Sequence, residues 1–115
     1  MCNKTDIEMI LRDFAAGVRN IFGDKLKEVI LFGSYARGDY DKESDIDIAL
    51  LVDISKEDER HYTEAIVSLV SKVDKKYGYI VLLAPIVLSY VFFTEWQETI
   101  PFYRAIRDEG VSLSA

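Results

Sequence analysis

Apolar residues recur at helical spacing from the start of the chain: Ile7, Ile10, Leu11, Phe14, Val18 and Ile21 fall on one face. Thr5-Asp6-Ile7-Glu8 reads as a capping box with Thr5 as N-cap, and Gly23 is placed to end this first helix. Two continuous apolar runs follow, Val29-Ile30-Leu31-Phe32 and Ile48-Ala49-Leu50-Leu51-Val52, each about a strand long. A second helical stripe comprises Tyr62, Ala65, Ile66, Leu69, Val70 and Val73, opened by Ser55 as N-cap with Asp58 three residues later. Lys72, Lys75 and Lys76 complement the dipole at its end, and Gly78 suits the position just beyond. Tyr79 to Leu83 and Ile86 to Leu88 then read as a third strand, kinked at Pro85 and apolar on both faces, which predicts a buried position. Ser89 is a cap for a short helix carrying Phe92, Phe93 and Trp96. Pro101 opens a last helix over 101–109 that Gly110 stops. The pattern predicts an α+β fold, a short mixed sheet with helices packed mainly on one face and a candidate site at its rim.

The two apolar runs bracket the residues that can do chemistry. Gly33-Ser34 ends the first run, and Asp45-Ile46-Asp47 opens the second. A period of two puts both aspartates on one face of the second strand, so their carboxylates converge. Carboxylates held side by side repel unless a cation sits between them, and hard oxygen ligands suit Mg²⁺ or Mn²⁺. Gly33 lets a phosphate approach the backbone, a helix start beyond it offers N–H groups, and the Ser34 hydroxyl can donate to a phosphate oxygen. Arg37 stands close enough in sequence to contact phosphate, or to pair with local carboxylates and fix the loop. Asp39, Asp41 and Glu43 read as a solvated connector. His61, among Glu59, Arg60 and Glu64, reads as a solvated side chain.

Composition narrows the function classes. The 115 residues predict one domain spanning 1–115, half of them apolar and 30% charged, a globular composition. The net charge is −6 and no run of Lys or Arg exceeds two, which argues against direct binding of a long nucleic acid. Cys2 is the one cysteine, so a disulfide framework is excluded and a free thiol expected. Charges at Lys4, Asp6, Glu8, Arg12 and Asp13 oppose a secretory signal. The apolar segment from Tyr79 to Phe93 is too interrupted to span a bilayer, so a cytoplasmic protein without membrane contact is expected. The apolar content of Ile80 to Phe93 and the terminal aromatics predicts an oligomer or a hetero-complex.

The spacing Gly33-Ser34-x10-Asp45-x-Asp47 resembles the signature of the nucleotidyltransferase superfamily related to DNA polymerase beta. The fuller string GSYARGDYDKESDIDIALLV is similar to its minimal nucleotidyltransferase branch, whose members are often encoded beside a HEPN-domain partner, and PFYRAIRDEGVSL resembles the way such proteins end. The resemblance implies a single nucleotidyltransferase-type domain in which Asp45 and Asp47 are catalytic and hold Mg²⁺ or Mn²⁺. Gly33, Ser34 and Arg37 would bind the nucleotide, with ATP as substrate. It implies AMP transfer to a protein acceptor, a tyrosine of a HEPN ribonuclease toxin, in an antitoxin role. The sequence departs from the superfamily pattern on the third strand, where relatives commonly carry a third carboxylate. No acidic residue occurs between Lys75 and Thr94, and Asp74 reads as a helix residue. The competing expectation is therefore a weakly active or inactive fold that neutralises its partner by binding.

Overall fold

The computed structural model describes residues 4–41 and 45–113. Cys2 and Glu43 lie outside them. The first helix, α1 (Lys4–Phe22), follows the apolar stripe, with Ile10, Phe14 and Val18 almost fully buried. It is already helical at Lys4, so Thr5 lies inside its first turn and is not the cap. Strand β1 (Leu26–Phe32) and the one-turn helix α2 (Ser34–Arg37) lead to strand β2 (Ile46–Val52). Ser55 caps as expected, its hydroxyl accepting from the Asp58 N–H, but the first turns, Lys56–Tyr62, wind as a 3₁₀ helix before α3 (Thr63–Lys76). Strand β3 (Leu83–Ser89), helix α4 (Tyr90–Trp96), helix α5 (Pro101–Glu109) and strand β4 (Val111–Ser112) complete the chain. Ser89 caps α4 and Pro101 opens α5, as their positions predict. None of the described helices is long and apolar enough to cross a membrane.

One four-stranded mixed sheet runs in the order β3-β2-β1-β4. β1 is antiparallel to β2 and to β4, whereas β3 returns parallel to β2 after the crossover through α3. The pleat divides the core. Ile46, Ile48, Leu50 and Val52 face the long helices α1 and α3, while Ala49 and Leu51 face Phe93 of α4 and Tyr103 and Ile106 of α5. Helices α1 and α3 approach closely at Gly17, where an added Cβ would overlap the Leu69 side chain. Asp13 ties them further, accepting from Lys76 Nζ at 2.8 Å and from the Tyr77 hydroxyl.

The third strand differs from expectation at both of its features. Tyr79 to Leu82 are not in it, because Gly78 and Tyr79 both take positive φ, 71° and 59°, and turn the chain out of α3. Pro85 does not kink it, because β3 is an edge strand and a proline there forfeits no ladder bond. The Ile46 N–H donates to the Leu82 carbonyl, so by alternation Leu83, Pro85, Val87 and Ser89 present their backbone groups outward. The Leu83 N–H donates to the Asp74 carboxylate, Pro85 has none, and the Ser89 N–H donates to Glu59 Oε2 at 2.7 Å. Two acids and a proline thus blunt this edge against strand addition.

Asp74 serves there at a cost. It is 6% exposed, its Oδ1 has no partner, and burial pushes its carboxyl above the ordinary value although the Leu83 N–H pulls it back. The penalised form is the ionised one, so stability is lost as pH rises past the ordinary carboxylate value toward the raised one, and regained as it falls. Relative to wild type, the melting temperature of Asp74→Asn is expected to fall as the buffer is taken from neutral pH down toward the ordinary carboxylate value, since only the wild type is relieved by protonation. Melts in parallel buffers test this, and a difference that ignores pH would show that Asp74 carries no strained charge.

Candidate active site

The carboxyl end of β1 and the start of β2 lie side by side because Phe32 pairs with Asp47 in the antiparallel ladder. Asp45 and Asp47 straddle Ile46, which is buried on the α1/α3 face, so both aspartates project on the opposite one. Asp45 is exposed and Asp47 half-buried. Gly33 takes φ 74° and ψ −154°, a conformation essentially restricted to glycine. A Cβ there would overlap Asp47 Oδ2 and come within 3.2 Å of its Cγ. The backbone of the Gly-Ser turn therefore packs directly on the second aspartate. Ser34 begins α2, and Gly38 ends it in a left-handed conformation, its N–H donating to the Ser34 carbonyl at 2.9 Å.

Electrostatics mark the pair as a strained one. Burial pushes the Asp47 carboxyl above its ordinary value, the Asp45 charge adds to this, and the Arg37 guanidinium opposes it. Among the described residues no third His, Cys, Asp or Glu joins the aspartates as a possible metal ligand. Two carboxylates match Mg²⁺, which keeps several waters and takes its remaining oxygens from substrate phosphates. The donor set thus fits the ion that the sequence suggests. A third carboxylate beside Asp47 would have to come from β3, whose Ala84 is its cross-strand neighbour. Ala84 and Ile86 share that face, and Asp74 is buried on α3 holding the Leu83 N–H, on the other side.

Arg37 is engaged with carboxylates in this structure. Its Nε bonds Asp39 at 3.2 Å and its Nη1 bonds Glu109 of α5 at 3.1 Å, both in solvent. The Asp39 partner is local, whereas the Glu109 partner, 72 positions away, carries no sequence signal. His61 is exposed and lies 3.3 Å from Asp58, a solvated side chain as expected. Asp39 and Asp41 are exposed in the connector. Sequence reasoning missed the aromatic pair Phe32 and Phe102, whose rings meet edge to face at 5.8 Å beside this site. The one available signal was that Phe32 immediately precedes Gly33.

Three comparisons bear on these residues. The model of the nucleotidyltransferase domain family matches residues 11–101. Two proteins of Methanocaldococcus jannaschii, each named "Putative protein adenylyltransferase", resemble the chain. One is 37% identical over 98 residues, covering 85% of this chain and 95% of its own. The other is 34% identical over 106 residues, covering 90% and 93%. Among solved structures, a toxin–antitoxin with AMP-PNP is 22% identical with a TM-score of 0.48, covering 99% of this chain and 74% of that one. A nucleotidyltransferase of Sulfolobus solfataricus, named there with the same qualifier as the archaeal pair, is 23% identical with a TM-score of 0.48, covering 96% and 87%.

Proposed function

The chain belongs to the nucleotidyltransferase domain family, and on that premise we propose that it transfers AMP from ATP to a tyrosine of a protein partner. The observation that carries the reading is the packing of Gly33 on Asp47, which brings the phosphate-approach turn and the carboxylate pair to one point. The adenylyltransferase names of the two relatives support AMP as the group moved. In this reading the backbone at Gly33 and the Ser34 hydroxyl hold the β- and γ-phosphates, and Asp45 and Asp47 hold Mg²⁺ or Mn²⁺. A bound divalent cation would neutralise triphosphate charge and favour departure of pyrophosphate. Arg37, released from Glu109 or Asp39, would reach the same phosphates. The acceptor oxygen forms a bond to the α-phosphorus as the α–β bridging bond breaks. Pyrophosphate leaves with that electron pair, and the phenolic proton passes to solvent or to a partner base.

What β3 lacks supports a phenol as the acceptor. With apolar residues at Ala84 and Ile86, no side chain of β3 stands beside Asp47 to take a proton. General-base catalysis is worth about 10²–10⁴-fold, so the acceptor best suited is one that ionises readily. A phenol, with an ordinary pKa near 10, needs less help than a serine or ribose hydroxyl. The resemblance to minimal nucleotidyltransferases favours a HEPN-domain toxin as the partner, with this chain as its antitoxin in the cytoplasm. The same missing carboxylate favours the second reading, a fold that neutralises its partner by complex formation alone.

Intact-mass measurement of the partner after incubation with this protein, ATP and Mg²⁺ separates the two. The expected result is a gain of one or more AMP units that disappears with Asp45→Asn. An unmodified partner, inhibited equally by wild type and Asp45→Asn, would establish the binding module.

A further inference from the structure

Phe32 and Asp47 oppose each other across β1 and β2, so their side chains leave the sheet on one face, about 5 Å apart at Cβ. Phe102, on the first turn of α5, meets Phe32 with ring centroids 5.8 Å apart and planes at 79°. The ring also contacts Tyr103, at 6.3 Å and 48°, and Tyr103 is itself buried against Phe93 at 5.1 Å. Helix α5 anchors through Tyr103 and Ile106, yet Phe102 stays 45% exposed. A large aromatic ring is thus fixed by two neighbours, lies on the face that carries the aspartates, and leaves much of its surface open to solvent.

We propose that Phe102, backed by Phe32, is the platform on which the base of the donor nucleotide stacks. This rests on the nucleotidyl-transfer reading above and adds to it where the nucleoside lies. The path from Asp47 to Phe102 is one cross-strand step and one ring-to-ring step, the scale of the sugar and base that extend from a metal-bound phosphate. A flat apolar ring recognises the π-face that all bases share, so the platform contributes affinity for a nucleoside triphosphate without reading base edges. Contact with Phe32 and Tyr103 restricts the rotamer freedom that a stacking side chain would otherwise lose on binding. The face is then divided: phosphates at Gly33, Ser34 and the aspartates, and the base over α5.

Calorimetric binding in Mg²⁺ of ATP and of inorganic triphosphate to the whole protein tests this. Phe102→Ala is expected to weaken ATP about tenfold or more and to leave inorganic triphosphate unchanged, with Phe102→Trp restoring ATP. Because Phe102 is half exposed, the alanine variant should fold, and far-UV circular dichroism with the triphosphate titration checks it. ATP binding that is the same in wild type and Phe102→Ala would overturn the platform while leaving nucleotide binding intact. Equal weakening of ATP and triphosphate would also overturn it, showing that Phe102 only shapes the fold. Failure of the wild type to bind either ligand in Mg²⁺ would remove the transfer reading itself, and the platform with it.

Discussion

Replacing Asp45 and Asp47 together by asparagine is expected to abolish Mg²⁺-dependent ATP binding and cut AMP transfer by at least about 10²–10³-fold, the scale of losing one preorganised electrostatic group. The two side chains are the described carboxylates at the site, and no neighbour on β3 can substitute. The fold should survive, since Asp45 is exposed and Asp47 only half-buried. The unliganded variant should even melt higher at neutral pH. Burial and the Asp45 charge push the Asp47 carboxyl above its ordinary value, so the ionised form is the one that the fold disfavours. In the wild type that cost appears as pH rises past the ordinary carboxylate value toward the raised one and persists at neutral pH. The asparagine variant should lose this pH response. Titrating ATP into wild type in Mg²⁺ and in EDTA, beside melts of both proteins, makes the check. Equal affinity in EDTA would remove the aspartates from metal binding.

Gly33→Ala should damage both stability and nucleotide binding. Its φ and ψ belong to a region that side chains avoid, which alone costs about 1–3 kcal/mol. For a domain of this size each 1 kcal/mol lowers the melting temperature by roughly 4–8 °C. The new methyl also overlaps Asp47 Oδ2, so the carboxylate must swing out of the place where it meets the turn. Gly23→Ala is the matched control: φ is also positive, at 57°, but an added Cβ meets nothing within 4 Å. The control should lose stability alone. Gly33→Ala should lose Mg²⁺-dependent ATP affinity as well, and an unchanged affinity would mean that the contact with Asp47 has no bearing on the site.

What could be read from the sequence follows the range of the interactions involved. Ser55, Ser89 and Pro101 act within one helical turn of their own positions, and each ends up where local capping rules put it. The Gly33-Ser34 and Asp45-x-Asp47 pattern is legible because strand period and turn chemistry fix its geometry. The 3₁₀ winding of Lys56–Tyr62 was not, since an N-cap signals where a helix begins but not whether its bonds run to the third or fourth residue. Pro85 was misread as a kink because its effect depends on whether the strand lies at an edge, which only the sheet order decides. β4 is two residues long, too short to carry a periodicity. The Arg37–Glu109 pair and the Phe32–Phe102 contact join distant segments, and nothing local announces either.

The four residues proposed for phosphate and metal, Gly33, Ser34, Asp45 and Asp47, all sit where β1 hands over to β2. That antiparallel pair closes through the short connection at 33–45, whereas β3 must wait for the whole crossover through α3. Closing the shorter loop sacrifices less chain entropy. In folding terms the chemistry is local: the hairpin can bring its ligands together before the parallel strand docks. The strand that supplies no ligand is free to carry a proline and an acid-capped edge without moving an aspartate.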